Sequence, residues 1–587
     1  MNLYKKINYV FDIRQKISLV ILLIMILIGS ILELIGVSAV LPLVSVAMNP
    51  TIIYENDKYR FLCDIFHLKN ANNFILFSSG ALCILYIVKN SYLIFYKSFQ
   101  IKFTSNVNKD IAVKLMKSYL QQDYQFHVLH NVAELQRNIT TDVAQFIKAI
   151  TAGISLLIEV CTSILLFFLL VITDFMTTFW VIVILGGAIL IYWRISTKLQ
   201  YKYGVQLRQA GKELNKWFLQ SFGGIKEIKV MNKENFFLEN YSDAFKTSIA
   251  ANQKHDIINM IPKPIMETIL ICSILLTMCL RILQGADIKA FVVTLSVFAL
   301  AAIRLLPSFN RITEYIGIIM YNKSGVDSVF EDLKEIEKLE RKSNYQKSDV
   351  EKLSLKNEID VKNLKFAYPN AERMIFENAS IRIYKNESVA FVGSSGAGKT
   401  TLADIIIGVL EPIQGTVAVD GIDIFTHLDA WHKTIGYIPQ MIYLMDDTIR
   451  ANVAFGLNAD EIDDKKVWKA LERAELADFV RSLNEGIYTE IGDRGVRLSG
   501  GQRQRIGIAR ALYMEPDVLI LDEATSALDT ETESAVMESI ENLKGQTTLI
   551  IIAHRLSTIQ NCDKVYEIEN GEIVLKEDKN VQEHELC

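Results

Sequence analysis

At 587 residues the chain is too long for one compact core and has room for two or more domains. Half of its residues are apolar and the mean hydropathy is +0.22, above that of an ordinary soluble protein. A net charge of −5 gives no global basic field, which argues against a nucleic-acid partner, and the seven cysteines show no metal-ligand spacing.

The apolar residues crowd the first 320 positions. A helix needs about 20 apolar residues to cross a bilayer. Six stretches qualify: Ile17–Met48, Asn73–Ser98, Phe146–Thr173, Met176–Ile195, Pro264–Leu283 and Ile288–Tyr321. The third and fourth, and the fifth and sixth, are joined by short turns, so each pair forms a hairpin. Residues 49–72 read as an outer connection; Phe61-Leu62 and Ile65-Phe66 lie there, either in an ordered loop or in a short amphipathic helix. The connections 99–145 and 196–263 are long, helix-prone and rich in Lys and Arg, so the positive-inside rule puts them in the cytoplasm. Twenty extra helical residues reach roughly 30 Å beyond the bilayer. The tips are expected near Tyr124–Leu135 and Gly223–Ile228.

Residues 322–356 are charged and read as a linker between a membrane domain (1–321) and a cytoplasmic α/β domain (357–587). The apolar run Ser388–Val392 is a buried strand. It runs into Gly393, Ser394, Ser395, Gly396, Ala397, Gly398, Lys399 and Thr400, a full G-x-x-x-x-G-K-T phosphate loop followed by Thr401 and a helical pattern. Backbone amides of such a loop converge on the β-phosphate of a nucleotide, Lys399 bridges the β- and γ-phosphates, and the Thr400 hydroxyl ligates Mg²⁺. A second apolar strand, Val518–Leu521, ends in Asp522, which suits the Mg²⁺ shell. Glu523 follows at once, placed to orient or deprotonate the attacking water.

Between the two strands lies Leu498-Ser499-Gly500-Gly501-Gln502. This segment resembles the signature of ABC transporter ATPase domains, and the resemblance extends to further positions. It implies that Tyr368 stacks on adenine, that Gln440 senses Mg²⁺ and couples to the membrane part, and that Asp529 belongs to a loop reaching across a dimer. It also implies that His554 is the switch histidine at the γ-phosphate, and that Thr489–Gly495 contacts the membrane-domain tips. The family's ATPase domains act in trans, so ATP binding needs two copies. With one phosphate loop, one signature, and Glu523, His554 and Ser499 all intact, a symmetric homodimer is expected. Ser499 with the Gly500 and Gly501 amides opens a helix and supplies a second anion site for the γ-phosphate.

Cargo is a separate question from fold. A charge at the centre of a membrane helix costs about 2.5–3.5 kcal/mol on insertion scales, so such charges mark function. Lys89 and Arg304 lie at similar depth, and Arg311 shares the face of Arg304. They either line one cavity and hold an anionic headgroup, or Lys89 and Arg311 snorkel to the inner interface or pair with Glu33, Glu159 or Glu267. The segment Ala302–Ile312, with Tyr86–Lys89 and the flanks of Gln440 and His554, resembles bacterial lipid-linked oligosaccharide flippases, in which membrane arginines engage a lipid diphosphate. The resemblance implies that role for Arg304 and Arg311. At Lys89 the charge is kept but the planar fork of arginine is lost. A multidrug or general lipid exporter on the same fold is the alternative.

Overall fold

The computed structural model describes residues 3–578 apart from 41–42, 44–45, 48–49, 52–60, 62–63, 67–69, 174, 284–305, 341–350, 370, 372, 493–494, 523–537, 539, 554–558 and 560. The chain divides into two compact units, Met1–Gln122 with His130–Asn344, and Asp123–Leu129 with Tyr345–Cys587.

The first unit is helical. In chain order it has α1 (Leu3–Val10), α2 (Ile13–Ser38) and α3 (Ala71–Leu120). Then, after α4 (Tyr124–Leu129) of the second unit, come α5 (Val132–Arg137), α6 (Val143–Thr173), α7 (Phe175–Gly223), α8 (Ile225–Met231), α9 (Glu234–Met260), α10 (Pro262–Leu283) and α11 (Lys323–Glu340). Residues 306–321 are also helical. The first five expected spans fall on α2, α3, α6, α7 and α10, and most of the sixth lies outside the described residues. Among the described residues, Ile13–Gly36, Ala71–Leu120 and Val132–Phe168 are long and apolar enough to cross a bilayer. Helices break where tips are expected: α4 ends at Leu129 and α5 begins at Val132, and α7 ends at Gly223 with α8 beginning at Ile225.

Interhelical polar contacts fix the packing. The Tyr92 hydroxyl donates to the Met25 carbonyl at 2.8 Å, and that of Tyr192 to the Ile258 carbonyl at 2.7 Å. At Gly204 on α7 the 306–321 helix comes so close that a Cβ would sit 1.9 Å from the Tyr321 carbonyl oxygen. The stretch read as a linker begins with a packed helix: Val326, Val329, Phe330, Leu333 and Ile336 of α11 recur at helical spacing and are buried. A π-helical turn, Asn138–Asp142, interrupts the run from α5 to α6 and buries Asp142 completely. Arg208 of α7 holds Asp142 at 3.1 Å and Arg137 lies at 3.7 Å from the same oxygen.

The second unit has two sheets. Strands β1 (Glu358–Phe366), β2 (Phe376–Tyr384), β4 (Gln414–Val419) and β5 (Ile422–Asp423) form an antiparallel sheet of order β2-β1-β4-β5. The larger sheet has the order β10-β9-β3-β8-β7-β6, from β3 (Ser388–Val392), β6 (Ile435–Ile438), β7 (Val518–Asp522), β8 (Thr548–Ile552), β9 (Lys564–Glu569) and β10 (Glu572–Asp578). It is parallel except for β10. Strands β7 and β8 are buried on both faces, so they read as unbroken apolar runs. Side-chain alternation feeds two cores: Val389, Phe391, Ile520 and Ile550 point to one, and Ala390, Leu519, Leu521 and Ile551 to the other.

Candidate functional site

The parallel register sets which loops meet. Phe391 of β3 and Asp522 of β7 both pair with Ile552 of β8, and Ile438 of β6 pairs with Leu521. The carboxyl ends of β3, β6, β7 and β8 therefore share one edge, where ligands bind in open α/β sheets. The phosphate loop, Gln440 and Asp522 lie along that edge. His554 also follows β8 in sequence, but with Glu523, Asp529 and Arg304 it lies outside the described residues.

The phosphate loop leads into α12 (Lys399–Ile407), a buried helix whose N-terminal amides follow Gly398. Gly393, Gly396 and Gly398 have φ of 146°, 79° and 106°. At Gly393 the constraint is double, because a Cβ there would also lie 2.4 Å from the Ile568 carbonyl oxygen. The Lys399 ammonium, on a side chain that is almost wholly buried, donates to the Gly393 and Ser394 carbonyls at 2.9 and 3.0 Å, which holds it inside the loop. Thr400 Oγ1 lies 3.4 Å from Asp522 Oδ1. Two oxygen donors side by side at the head of a phosphate cradle fit a hard divalent cation such as Mg²⁺. Thr401 Oγ1 lies 3.2 Å from the Tyr368 hydroxyl, so the aromatic residue is tied to α12.

Two residues that sequence reasoning passed over stand beside these donors. Burial, and then the charge on Asp522, push the Asp404 carboxyl up to about 6. Burial, followed by the charges on Asp522 and Asp404, pushes the Tyr437 phenol well above its ordinary value. A position four residues after Thr400, one turn along the same helix, was the available signal for Asp404.

The signature segment caps α17, counted after α13 (Leu428–His432), α14 (Ile449–Val453), α15 (Asp464–Arg473) and α16 (Ala477–Ser482); α17 itself spans Gly500–Tyr513. Ser499 Oγ accepts from the Gln502 amide at 3.3 Å and Gln502 Oε1 accepts from the Ser499 amide at 2.8 Å, a reciprocal capping box. Ser499 and Gly500 are exposed and Gly501 is buried, so a helix amino end opens to solvent there. Gln440 is exposed just past the end of β6. Arg510, on α17, donates to the carbonyls of Asn452 and Tyr443, both at 2.9 Å, and ties α17 to α14.

In the first unit, Lys89 is enclosed: its ammonium lies 2.8 Å from Glu33, with a side chain 5% exposed, and sits 4.7 Å from the centre of the Tyr86 ring. Arg311, on the 306–321 helix, pairs through Nε with Glu159 of α6 at 3.1 Å, but its side chain is 50% exposed.

Residues 376–526 match the family model of the ABC transporter, and residues 23–301 that of the ABC transporter transmembrane region. The chain is 30% identical over 495 residues to the heterocyst differentiation ATP-binding protein HepA of Nostoc sp., covering 82% of this chain and 78% of that protein. It is 30% identical over 469 residues to the ATP-dependent lipid A-core flippase of Pseudomonas fluorescens, covering 79% and 76%. The protein of the same description from Saccharophagus degradans is 33% identical over 395 residues, and the chain spans 64% of its length. A solved bacterial Atm1-family ABC exporter with ATP bound shares the fold, with a TM-score of 0.75, 20% identity, and coverage of 97% and 96%.

Proposed function

The chain belongs to the ABC transporter family, with an exporter-type membrane region joined to an ATPase domain, and we propose that two copies form a homodimeric flippase. Its cargo is an amphipathic anionic lipid, a polyprenyl-diphosphate-linked oligosaccharide, moved from the cytoplasmic to the outer side of the cell membrane. The functional divisions are 1–321 for the membrane domain, 322–356 for the linker and 357–587 for the ATPase domain.

The observation that carries the cargo class is the half-exposed guanidinium of Arg311 on a membrane helix. Arginine meets phosphate oxygens with two parallel N–H bonds, a geometry that lysine lacks. Arg304 completes the cation set, whereas Lys89, the third expected cation, is enclosed against Glu33 and has no open face for a headgroup. The relatives described as ATP-dependent lipid A-core flippases support a lipid as cargo. They also keep a second reading in view, a general lipid exporter, which predicts transport that survives removal of the cations.

ATP supplies the energy. Gly393, Ser394, Ser395, Gly396, Ala397, Gly398, Lys399, Thr400 and Thr401 hold its phosphates, Tyr368 meets the base, and Thr400, Gln440 and Asp522 hold Mg²⁺. When bound, the cation neutralises charge that develops on the transferring phosphoryl group. Lys399 contributes fixed positive charge from inside the loop. Glu523 orients the water and accepts its proton, and His554 donates to the γ-phosphate. Ser499, Gly500, Gly501, Gln502 and Asp529 close the site of the other copy.

The test is a proteoliposome assay with a fluorescent polyprenyl-diphosphate sugar. Arg304→Ala and Arg311→Ala are expected to cut flipping by at least tenfold, about the value of one charge-assisted contact. Flipping at the wild-type rate in both variants would overturn the diphosphate cargo.

A further inference from the structure

We propose that Glu159 sets the charge requirement of the cargo site by standing in, on Arg311, for one headgroup oxygen. This rests on the anionic-lipid reading above. Glu159 lies on α6, 8% exposed. It forms an ion pair with Arg311, 3.1 Å from its Nε, and accepts from Ser308, one turn before Arg311 on the same helix. Lys97 of α3 lies near enough to act on it. Arg311 Nε is further turned to the Pro307 carbonyl at 3.4 Å. The two terminal nitrogens of Arg311 have no partner among the described residues, and the side chain is half exposed.

The second intramembrane pair makes the contrast. Lys89 and Glu33 meet at 2.8 Å with side chains 5% and 22% exposed, so that cation is enclosed. Arg311 is instead paired on its inner edge and open on its outer edge. The open edge is the two-nitrogen fork that matches two phosphate oxygens. Because Glu159 neutralises much of the cation, only a small positive potential remains on the open edge, and a singly charged headgroup gains little there. That potential acts on each headgroup charge, so a headgroup with two charges bridging both terminal nitrogens gains about twice as much and is held. Glu159 therefore acts through Arg311 as a positioning residue. It discriminates against singly charged bilayer lipids and keeps a bound diphosphate from being held too tightly to leave.

The experiment uses the full chain in phosphatidylcholine nanodiscs, with and without phosphatidylglycerol as a singly charged lipid, and titrates a polyprenyl diphosphate. ATPase stimulation is fitted for its half-saturating concentration and its maximum separately. Glu159→Gln is expected to lower the half-saturating concentration about tenfold, the weight of one screened charge contact, and to lower the maximum as release slows. It should also make phosphatidylglycerol a competitor, to which the wild type is indifferent. Glu159→Asp, which keeps the charge, is expected to titrate like the wild type, and Arg311→Gln added to Glu159→Gln should cancel the gain. Glu159→Ser is a second uncharged variant should the first fail to fold, as judged by thermal melting.

A half-saturating concentration unchanged or raised in the uncharged variants would overturn the proposal, as would an Asp variant shifted as far as the Gln one. Equal stimulation by soluble pyrophosphate at fixed free Mg²⁺ would overturn the assignment to a lipid headgroup. A wild type that does not respond to polyprenyl diphosphate sinks the cargo reading instead. In that case the new sensitivity of Glu159→Gln to phosphatidylglycerol still decides the role of Glu159, its absence counting against.

Discussion

Asp522 gathers its neighbours at the level of single side chains. Thr400 lies within 3.4 Å, and Asp404 and Tyr437 both feel its charge. Asp404 has its carboxyl raised from 3.8 to about 6, so the folded protein binds that proton more tightly than the unfolded chain does. The stability contributed is fully present below about pH 4 and is lost as pH rises through 6. Asp404→Asn should therefore raise the melting temperature of the nucleotide-free protein by about 2 °C at pH 7.5. The gain should vanish near pH 4, as read by scanning fluorimetry at both values. Glu523 follows Asp522 directly in the chain. Glu523→Gln is expected to bind ATP with wild-type affinity and to lose turnover by at least 100-fold, the contribution of a general base; full hydrolysis by the purified variant would remove Glu523 from that role.

Elements explain why some positions tolerate no change. Gly393 combines a left-handed φ of 146° with a backbone oxygen 2.4 Å from any added Cβ, whereas an added Cβ at Gly396 meets open space. Binding of a fluorescent ATP analogue should thus be lost in Gly393→Ala and only weakened in Gly396→Ala, where left-handed strain of roughly 1 kcal/mol is the whole cost. The π-helical turn before α6 presents a different case. Asp142 is fully buried between Arg137 and Arg208, and one of its oxygens has no hydrogen-bond partner among the described residues. Removing one member of a buried charge cluster leaves the others uncompensated, at a cost of about 3–5 kcal/mol. Asp142→Ala should lower thermal stability by that amount while leaving ATP affinity unchanged, a pattern that equilibrium unfolding and nucleotide titration together can check.

At the scale of the whole molecule, one chain offers one phosphate loop and one signature helix. Ser499 and Gln502 cap α17 reciprocally and Ser499 is exposed, so the signature is finished as a local structure with its helix end open. Light scattering of the purified exporter should give a protein mass of twice 66.6 kDa. Mixed particles of wild-type and Glu523→Gln chains should turn over well below the average of the two parents, as the proposed homodimer requires.

Sequence alone was enough for the parts whose chemistry is carried by the backbone over a few consecutive residues. The phosphate loop, the strand ending in Asp522, the signature cap and five of the apolar spans depend on φ angles, periodicity and runs, all of which are local. Pairings between helices were not legible in the same way. Lys89 had Glu33, Glu159 and Glu267 as candidate partners, and only packing gave it Glu33, gave Glu159 to Arg311, and left Glu267 exposed. Asp404 and Tyr437 likewise met Asp522 only through the register of β6, β7 and α12. A side chain reaches its neighbours across elements by the crossing and rotation of whole helices and strands, and those are fixed by the sum of many weak contacts rather than by any one segment.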